Sequence, residues 1–439
     1  MKKTMVSLAA ASLITTSAMA ADKGIDIVTT GQAVIYYETH TSGGDNAPDI
    51  FSKEASAANV GVQLNLGSDL GNGITFGSQL SYLGTAGLEK NLVSGVKQDP
   101  TQSLNTDLTS QLMLTKIFVA KKIGNSTLKI GRQELPKSLS PLAFSEGWNV
   151  FKNTFDAILA VNSDIPDTTL VGAYVSKSNS TVGANGYANM TNLVGKTGLG
   201  NVYASGGAFL LTAQNKSIPM TTLTGSYYHL SQISGGDQDF WANSDSLGNA
   251  DAYWIDAKVK GKDMPLGLCV GLQVGSIMPN LKTPLNDLDD TMAYGVKVGM
   301  KPMDALALSV AYSSVDDGAV AIKNTGTGVK TPLFTQMVYN QDAIALSADT
   351  FVVKGAFNTG DYGKIIAQFG LTNGNNDSDA KYNELDLIYK VKSGGIQYFA
   401  ALMYITAEDG ASIIGDGGSY APGAKMDDTK LRIWARYAF

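Results

Sequence analysis

Hydrophobic and polar residues alternate along most of this chain, and the last nine residues show it plainly. Leu431, Ile433, Ala435, Tyr437 and Phe439 share one parity; Arg432, Trp434 and Arg436 share the other. Successive side chains of an extended strand point to opposite faces. The pattern therefore predicts a strand with one apolar face ending in aromatics and one face carrying two fixed positive charges. The edge of a soluble sheet has this pattern. So does a strand with lipid on one side and water on the other.

The same period, broken by turn residues, predicts a series of strands. They run over Gly31–Glu38, Val60–Leu66, Ile74–Leu83, Thr109–Lys122, Thr127–Gln133, Phe155–Asn162, Thr169–Ser176, Gly207–Gln214 and Thr221–Leu230. The series continues with Ala252–Lys260, Leu266–Ile277, Met292–Lys301, Leu306–Ser313, Phe351–Phe357, Lys364–Leu371, Lys381–Lys392, Ile396–Ile405 and Thr429–Phe439. This makes about eighteen strands, with sixteen also compatible. Short turns such as Gly71-Asn72-Gly73 and Ser393-Gly394-Gly395 alternate with long links at 41–57, 84–106, 135–152, 179–203, 231–248, 278–289, 315–349 and 407–427. Only the link before Lys381 is short where a long one is due. A soluble sandwich has no reason for this alternation. A transmembrane antiparallel β-barrel does, because its periplasmic turns are short and its external loops long.

Composition narrows the class further. Charged residues make up 16% of the chain, against about 25% in a soluble globular domain. No stretch beyond the N-terminus approaches the ~20 apolar residues of a membrane helix. A barrel satisfies both observations, since only alternate residues meet lipid. Residues 1–20 read as a signal peptide: Lys2 and Lys3, a short apolar run, then Ala18-Met19-Ala20 as a cleavage site. Residues 21–439 read as one barrel domain, and cleavage would take the formal charge from −6 to −8. The single cysteine, Cys269, excludes an intrachain disulfide.

Parity assigns charges to the water side, because a lysine or arginine facing lipid at mid-depth costs ~2–4 kcal/mol. By this rule Lys129, Asp256, Lys258, Lys297, Lys354, Glu384, Asp386, Arg432 and Arg436 face a hydrated interior. Asp156 joins them if Phe155, Ala157, Leu159 and Val161 face lipid. Fixed charges of both signs would set up a transverse field across a narrow pore. The bland alternative for each residue is a solvated wall position.

The third external loop stands apart. It carries Glu134, Lys137, Glu146 and Lys152 with Phe144, Trp148 and Phe151 among them, and Pro136 and Pro141 interrupt it. So aromatic a loop is expected to pack against the inner wall and narrow the pore; an external cap over the mouth is the alternative. Arg132 has the lipid parity of Leu128 and Ile130, unless a bulge re-aims it into the lining.

Four segments carry a resemblance: Gly131-Arg132-Gln133-Glu134-Leu135-Pro136, Phe144-Ser145-Glu146-Gly147-Trp148-Asn149, Leu170-Val171-Gly172-Ala173-Tyr174 and Ala213-Gln214-Asn215-Lys216. They resemble the Opr-family, OprD-like outer-membrane porins, and the resemblance covers the whole mature chain. It implies an eighteen-stranded channel, constricted by its third loop, with a ladder of basic residues guiding anionic groups. The chain departs from that pattern in having only three arginines, Arg132, Arg432 and Arg436. A ladder here would consist mostly of lysine. The aromatic C-terminal strand is similar to the signal that barrel-assembly machinery reads.

Other chemistry is sparse. The two histidines, His40 and His229, sit near external strand ends. A Ser/His or Asp/His site at His229 with Ser231 and Asp237 is the enzymatic alternative. Asp287, Asp289 and Asp290 form an acidic run that could hold calcium or magnesium between loops or against lipopolysaccharide; solubility is the plainer reading. No cofactor, enzymatic activity or nucleic-acid partner is expected. The expected function is a porin: passive diffusion of small hydrophilic solutes and ions. The alternative is a non-transporting surface or adhesion barrel. Monomer and homotrimer are both compatible with the sequence.

Overall fold

A computed structural model describes residues 26–42, 47–98, 111–179, 186–197, 200–235, 247–261, 264–282, 288–375, 380–408 and 425–439. The expected signal peptide lies outside them. The first strands are β1 (Ile27–Ser42), β2 (Ser56–Gly71), β3 (Ile74–Gly84), β4 (Gln111–Ile123), β5 (Ser126–Gln133), β6 (Phe155–Asn162) and β7 (Thr168–Asn179). Three short ones follow, β8 (Met190–Thr191), β9 (Leu193–Thr197) and β10 (Gly200–Ala204). Then come β11 (Ala208–Asn215), β12 (Thr221–Gly235), β13 (Gly248–Lys260), β14 (Cys269–Leu281), β15 (Thr291–Met303) and β16 (Leu306–Val315). The last are β17 (Ala348–Asn358), β18 (Lys364–Gly374), β19 (Lys381–Ser393), β20 (Ile396–Glu408) and β21 (Lys425–Ala438).

Eighteen of these form one closed antiparallel wall, with β7 pairing directly to β11 and β21 returning to β1. The wall closes between Gln32 opposite Ala438 and Ser42 opposite Asp428. Below that ladder Gly31 and Phe439 exchange backbone hydrogen bonds of 2.7 and 3.0 Å. Closure is what permits strands to cross a bilayer, because lipid cannot satisfy an open edge. No helix among the described residues is long and apolar enough to cross a membrane.

Burial is inverted relative to a soluble sheet. In β19, Leu385, Leu387 and Tyr389 are exposed, while Glu384 and Asp386 are buried. Ile35, Val296, Phe351, Leu402 and Ile433 are exposed likewise. An apolar outside and a polar inside are stable only against lipid.

Connections at the long-loop end pack back on the wall, among them residues 85–98, 134–154 and 316–347. Their buried apolar side chains include Leu135, Leu142, Phe151, Leu333 and Ile344. Glycines on the inner parity make room for them. A Cβ on Gly61 would lie 2.6 Å from the Phe151 ring, and one on Gly271 2.6 Å from the Phe334 ring.

Two expectations need correction. The link 179–203 contains β8–β10, and β10 pairs with both β9 and the outer end of β12. In β6 the parity is reversed: Phe155, Ala157 and Val161 are buried, and Ile158 is exposed. Asp156 therefore shares the outward parity of Ile158. The periodicity gave the more apolar parity to lipid, but that face is covered from inside by connection 134–154, and the parity of Asp156, Ile158, Ala160 and Asn162 faces out. Phe155 and Ala157 of the inner face cluster with Leu135, Leu142 and Ala143 of connection 134–154.

Candidate functional site

The charged groups of the wall and the three infolded connections converge beside the β1–β21 seam. Glu38 of β1 lies 2.7 Å from Arg432 Nε of β21 and 2.5 Å from Lys97 Nζ. The Tyr339 hydroxyl donates to Glu38 and accepts from Arg432 Nη2 at 2.8 Å and Lys97 Nζ at 3.0 Å. Arg432 is 3% exposed. A buried carboxylate is tolerable only when paired and hydrogen-bonded, and here two cations and two tyrosines serve one carboxylate. Glu38 is thereby held, and it holds connection 85–98 through Lys97 and connection 316–347 through Tyr339.

Trp148 joins the third connection to the same place. Lys97, Lys330 and the Arg432 guanidinium lie 5.6, 5.3 and 5.7 Å from its ring centroid. Such cation–ring contacts gain strength when desolvated. The Trp148 indole N–H donates to Glu146. Glu146 also accepts from Asn324 Nδ2 at 2.7 Å, from Lys330 N at 3.0 Å and from the Thr327 hydroxyl. One carboxylate thus ties 134–154 to 316–347. On the wall, Arg436 Nη2 donates to Val150 O at 2.9 Å, and the Leu142 amide donates to the Tyr228 hydroxyl at 3.1 Å. On the same side of the seam, Glu384 accepts from Tyr339 N at 2.8 Å and the Tyr382 hydroxyl at 3.0 Å.

No protein-family model matches the chain, and no curated protein matches it in sequence. Solved structures do. Pseudomonas aeruginosa OccK8 (OprE) superposes with a TM-score of 0.68 at 11% identity, over 94% of this chain and 98% of that one. Acinetobacter baumannii OccAB3 gives a TM-score of 0.67 at 13% identity, over 94% and 99%. Pseudomonas aeruginosa OpdK, solved with vanillate, gives 0.66 at 10% identity, over 94% and 99%. Its fold is that of the OprD-like porins.

Within this OprD-like barrel the charged residues singled out in sequence fall into distinct groups. Lys129, Asp256, Lys258, Lys297 and Lys354 lie on the inner parity of their strands. Lys129 Nζ sits 3.7 Å from the Phe118 ring centroid. Lys258 lies 3.5 Å from Asp256 and faces the Phe334 ring at 5.7 Å. Among the described residues no carboxylate is within salt-bridge distance of Lys129, Lys297 or Lys354. Asp256 and Asp386 are buried, accepting from Gln273 at 2.8 Å and Gln368 at 2.5 Å. Glu134 is shared by Lys116 and Lys152. Lys137 Nζ donates to Thr331 O at 2.9 Å, a further tie between two connections.

Three assignments are corrected. Arg132 and Asp156 face outward as a bidentate pair, with nitrogen–oxygen distances of 2.9 and 3.3 Å. They stand opposite each other in register, beyond the exposed Ile130 and Ile158. At the end of a strand such a pair reaches the headgroup level, where its cost is small. Glu146 is a buried tie between connections: its Oε1 accepts from Asn324, Thr327 and Lys330 N, and its Oε2 from the Trp148 indole. His229 is paired with Asp251 at 2.8 Å, and Asp251 also accepts from the Tyr227 hydroxyl. Asp237 and Asp287 lie outside the described residues. Asp289 and Asp290 are exposed, and no group of three or more potential metal-ligating side chains converges among the described residues.

Sequence reasoning missed Glu38, Lys97, Lys330 and Tyr339. Glu38 had a signal: it lies on the parity of Val34 and Tyr36, and these are buried. The other three sit in long connections, where no period marks a side.

Proposed function

We propose that the protein is an outer-membrane channel that passes small hydrophilic solutes and ions by passive diffusion. The observation that carries this reading is the closed eighteen-strand wall with apolar side chains outside and charges inside. Connections 134–154 and 316–347, tied through Glu146, narrow the lumen. The inner-parity lysines Lys129, Lys258, Lys297 and Lys354, with Arg436, bias the pore toward anions. Their charges lie in a narrow passage of low effective dielectric, where a fixed charge acts strongly on a passing ion. OpdK with vanillate brings organic anions to this chain as a candidate solute class. Tyr437, Ala438 and Phe439 serve the barrel-assembly machinery, and residues 1–20 direct export.

Purified full-length protein in a planar lipid bilayer tests the reading. Stepwise conductance with a reversal potential on the anion side is the expected result. A bilayer that stays sealed at all voltages would overturn it and leave a surface or adhesion role.

A further inference from the structure

A cavity of about 270 Å³ lies between the outer half of β12–β14, the β9–β10 hairpin and connection 316–347. Leu230, Ala250, Ile277 and Leu281 of the wall face Val202 and Val320 across it. Tyr228 turns its ring to the space. Its hydroxyl is already taken by the Leu142 amide at 3.1 Å and lies 3.5 Å from Ser140 Oγ. Asp317 is the one charged side chain of the lining, and it is exposed.

A buried water needs about two to four polar partners, and this lining offers few. An apolar cavity of ~150 Å³ takes up benzene, so this one has room for a ring and a short chain. A largely apolar space with one charged residue in its lining has the character of a small-molecule site. That residue, Asp317, is exposed and so belongs to the solvent side of the cavity. It favours a protonated or hydrogen-donating head and disfavours an anion. The inner wall near Lys258 and Lys297 has the opposite sign, so the two regions would select different solutes. The cavity also touches the junction of two connections, where Leu142 O accepts from Thr325 N at 2.7 Å and Thr325 Oγ1 at 2.8 Å.

We propose that this cavity binds a small amphipathic amine, its aromatic or branched-alkyl body among Leu230, Ala250 and Val320 and its ammonium at Asp317. The proposal goes beyond the channel reading, since binding requires no passage. The probe is 4-fluorophenethylamine, followed by fluorine NMR with the full chain in lipid nanodiscs; empty nanodiscs report partition into lipid. Saturable binding above that background is expected. Filling the space from either side, with Ala250→Phe or with Ala319→Phe, should weaken it at least about tenfold. Asp317→Asn should weaken it about threefold, as befits an exposed ion pair. It should also erase the preference over 4-fluorophenylacetate, which has a similar body and the opposite charge. Heat-dependent gel migration confirms that each variant is folded, and either filling variant suffices. Uptake no greater than by empty nanodiscs would overturn the proposal. So would saturable binding that a folded filling variant leaves intact, or 4-fluorophenylacetate bound as well as 4-fluorophenethylamine. None of these outcomes depends on conductance.

Discussion

Lys97 shows how one side chain can link the connections to the lumen's charge. Burial pushes its ammonium down to about 8; the Glu38 carboxylate opposes this, and Arg432 adds to it. At pH 7 the group is charged and held by Glu38. At pH 9 it is mostly neutral, and the seam loses one positive charge. Anion preference, read as the reversal potential in a salt gradient, should therefore fall between pH 7 and pH 9. Lys97→Arg should flatten that dependence, because guanidinium stays charged throughout. An equal pH shift in the variant would show that Lys97 does not carry the effect. The role of Lys97 was hidden in the sequence. It stands in a long connection, and its partner Glu38 is 59 residues away.

At the scale of elements, the connections are as structured as the strands. Connection 316–347 buries Asn324, Thr331, Thr335 and Asn340 alongside Ile322 and Ile344. Polar groups so placed persist only when bonded: Asn324 donates to Glu146 of the other connection, Thr331 and Asn340 bond to Gln336, and Thr335 bonds to Ser313 of the wall. Glu146→Ala should leave the Asn324, Thr327 and Trp148 donors without their acceptor. A hydrogen bond to a charged group is worth roughly 1.5–3 kcal/mol, and these are not additive. Local opening should become easier by about 3 kcal/mol, roughly a hundredfold in rate of hydrogen exchange at the Asn324 amide. That amide donates to Lys330 O and not to Glu146, so it reports the element and not the lost bond. Open-channel current should become larger and noisier. Unchanged exchange would mean that the two connections are held apart from Glu146. The aromatic content of 134–154 pointed to packing, but the side chains it meets on 316–347 could not be read from either segment alone.

At the scale of the whole molecule, the barrel sets the sign of the interior. Lys258 and Lys297 lie level with each other on either side of Gly271, with the Phe334 ring between them. Two charges this close to an infolded connection act on any ion that passes it. Lys258→Glu with Lys297→Glu should move the reversal potential toward cations while leaving barrel stability near wild type, since both side chains border water. No shift would remove these lysines from the selective region. Cell-surface exposure of the loops and the strand count would be unaffected.

Strand number, closure and the lipid side were legible in the chain because a strand's period is two and lipid penalises charge at every outward position. Leu431–Phe439 and Glu384–Lys392 show it: each places its charges on one parity, and the structure puts that parity inside. The rule failed at β5–β6, where Arg132 and Asp156 sit at the rim. There headgroups replace hydrocarbon and the penalty fades. It also chose the wrong side of β6, whose more apolar face is covered from within by connection 134–154. Tertiary structure alone decided which charges are free and which are tied. Lys129, Lys297 and Lys354 and Glu146 each stand in sequence as a single charge with no charged neighbour beside it. Glu146 is buried under hydrogen bonds from a connection some 180 residues on, and the lysines have no such partner among the described residues. Such pairings arise only when a closed wall brings distant connections into one enclosed space, and no local pattern encodes them.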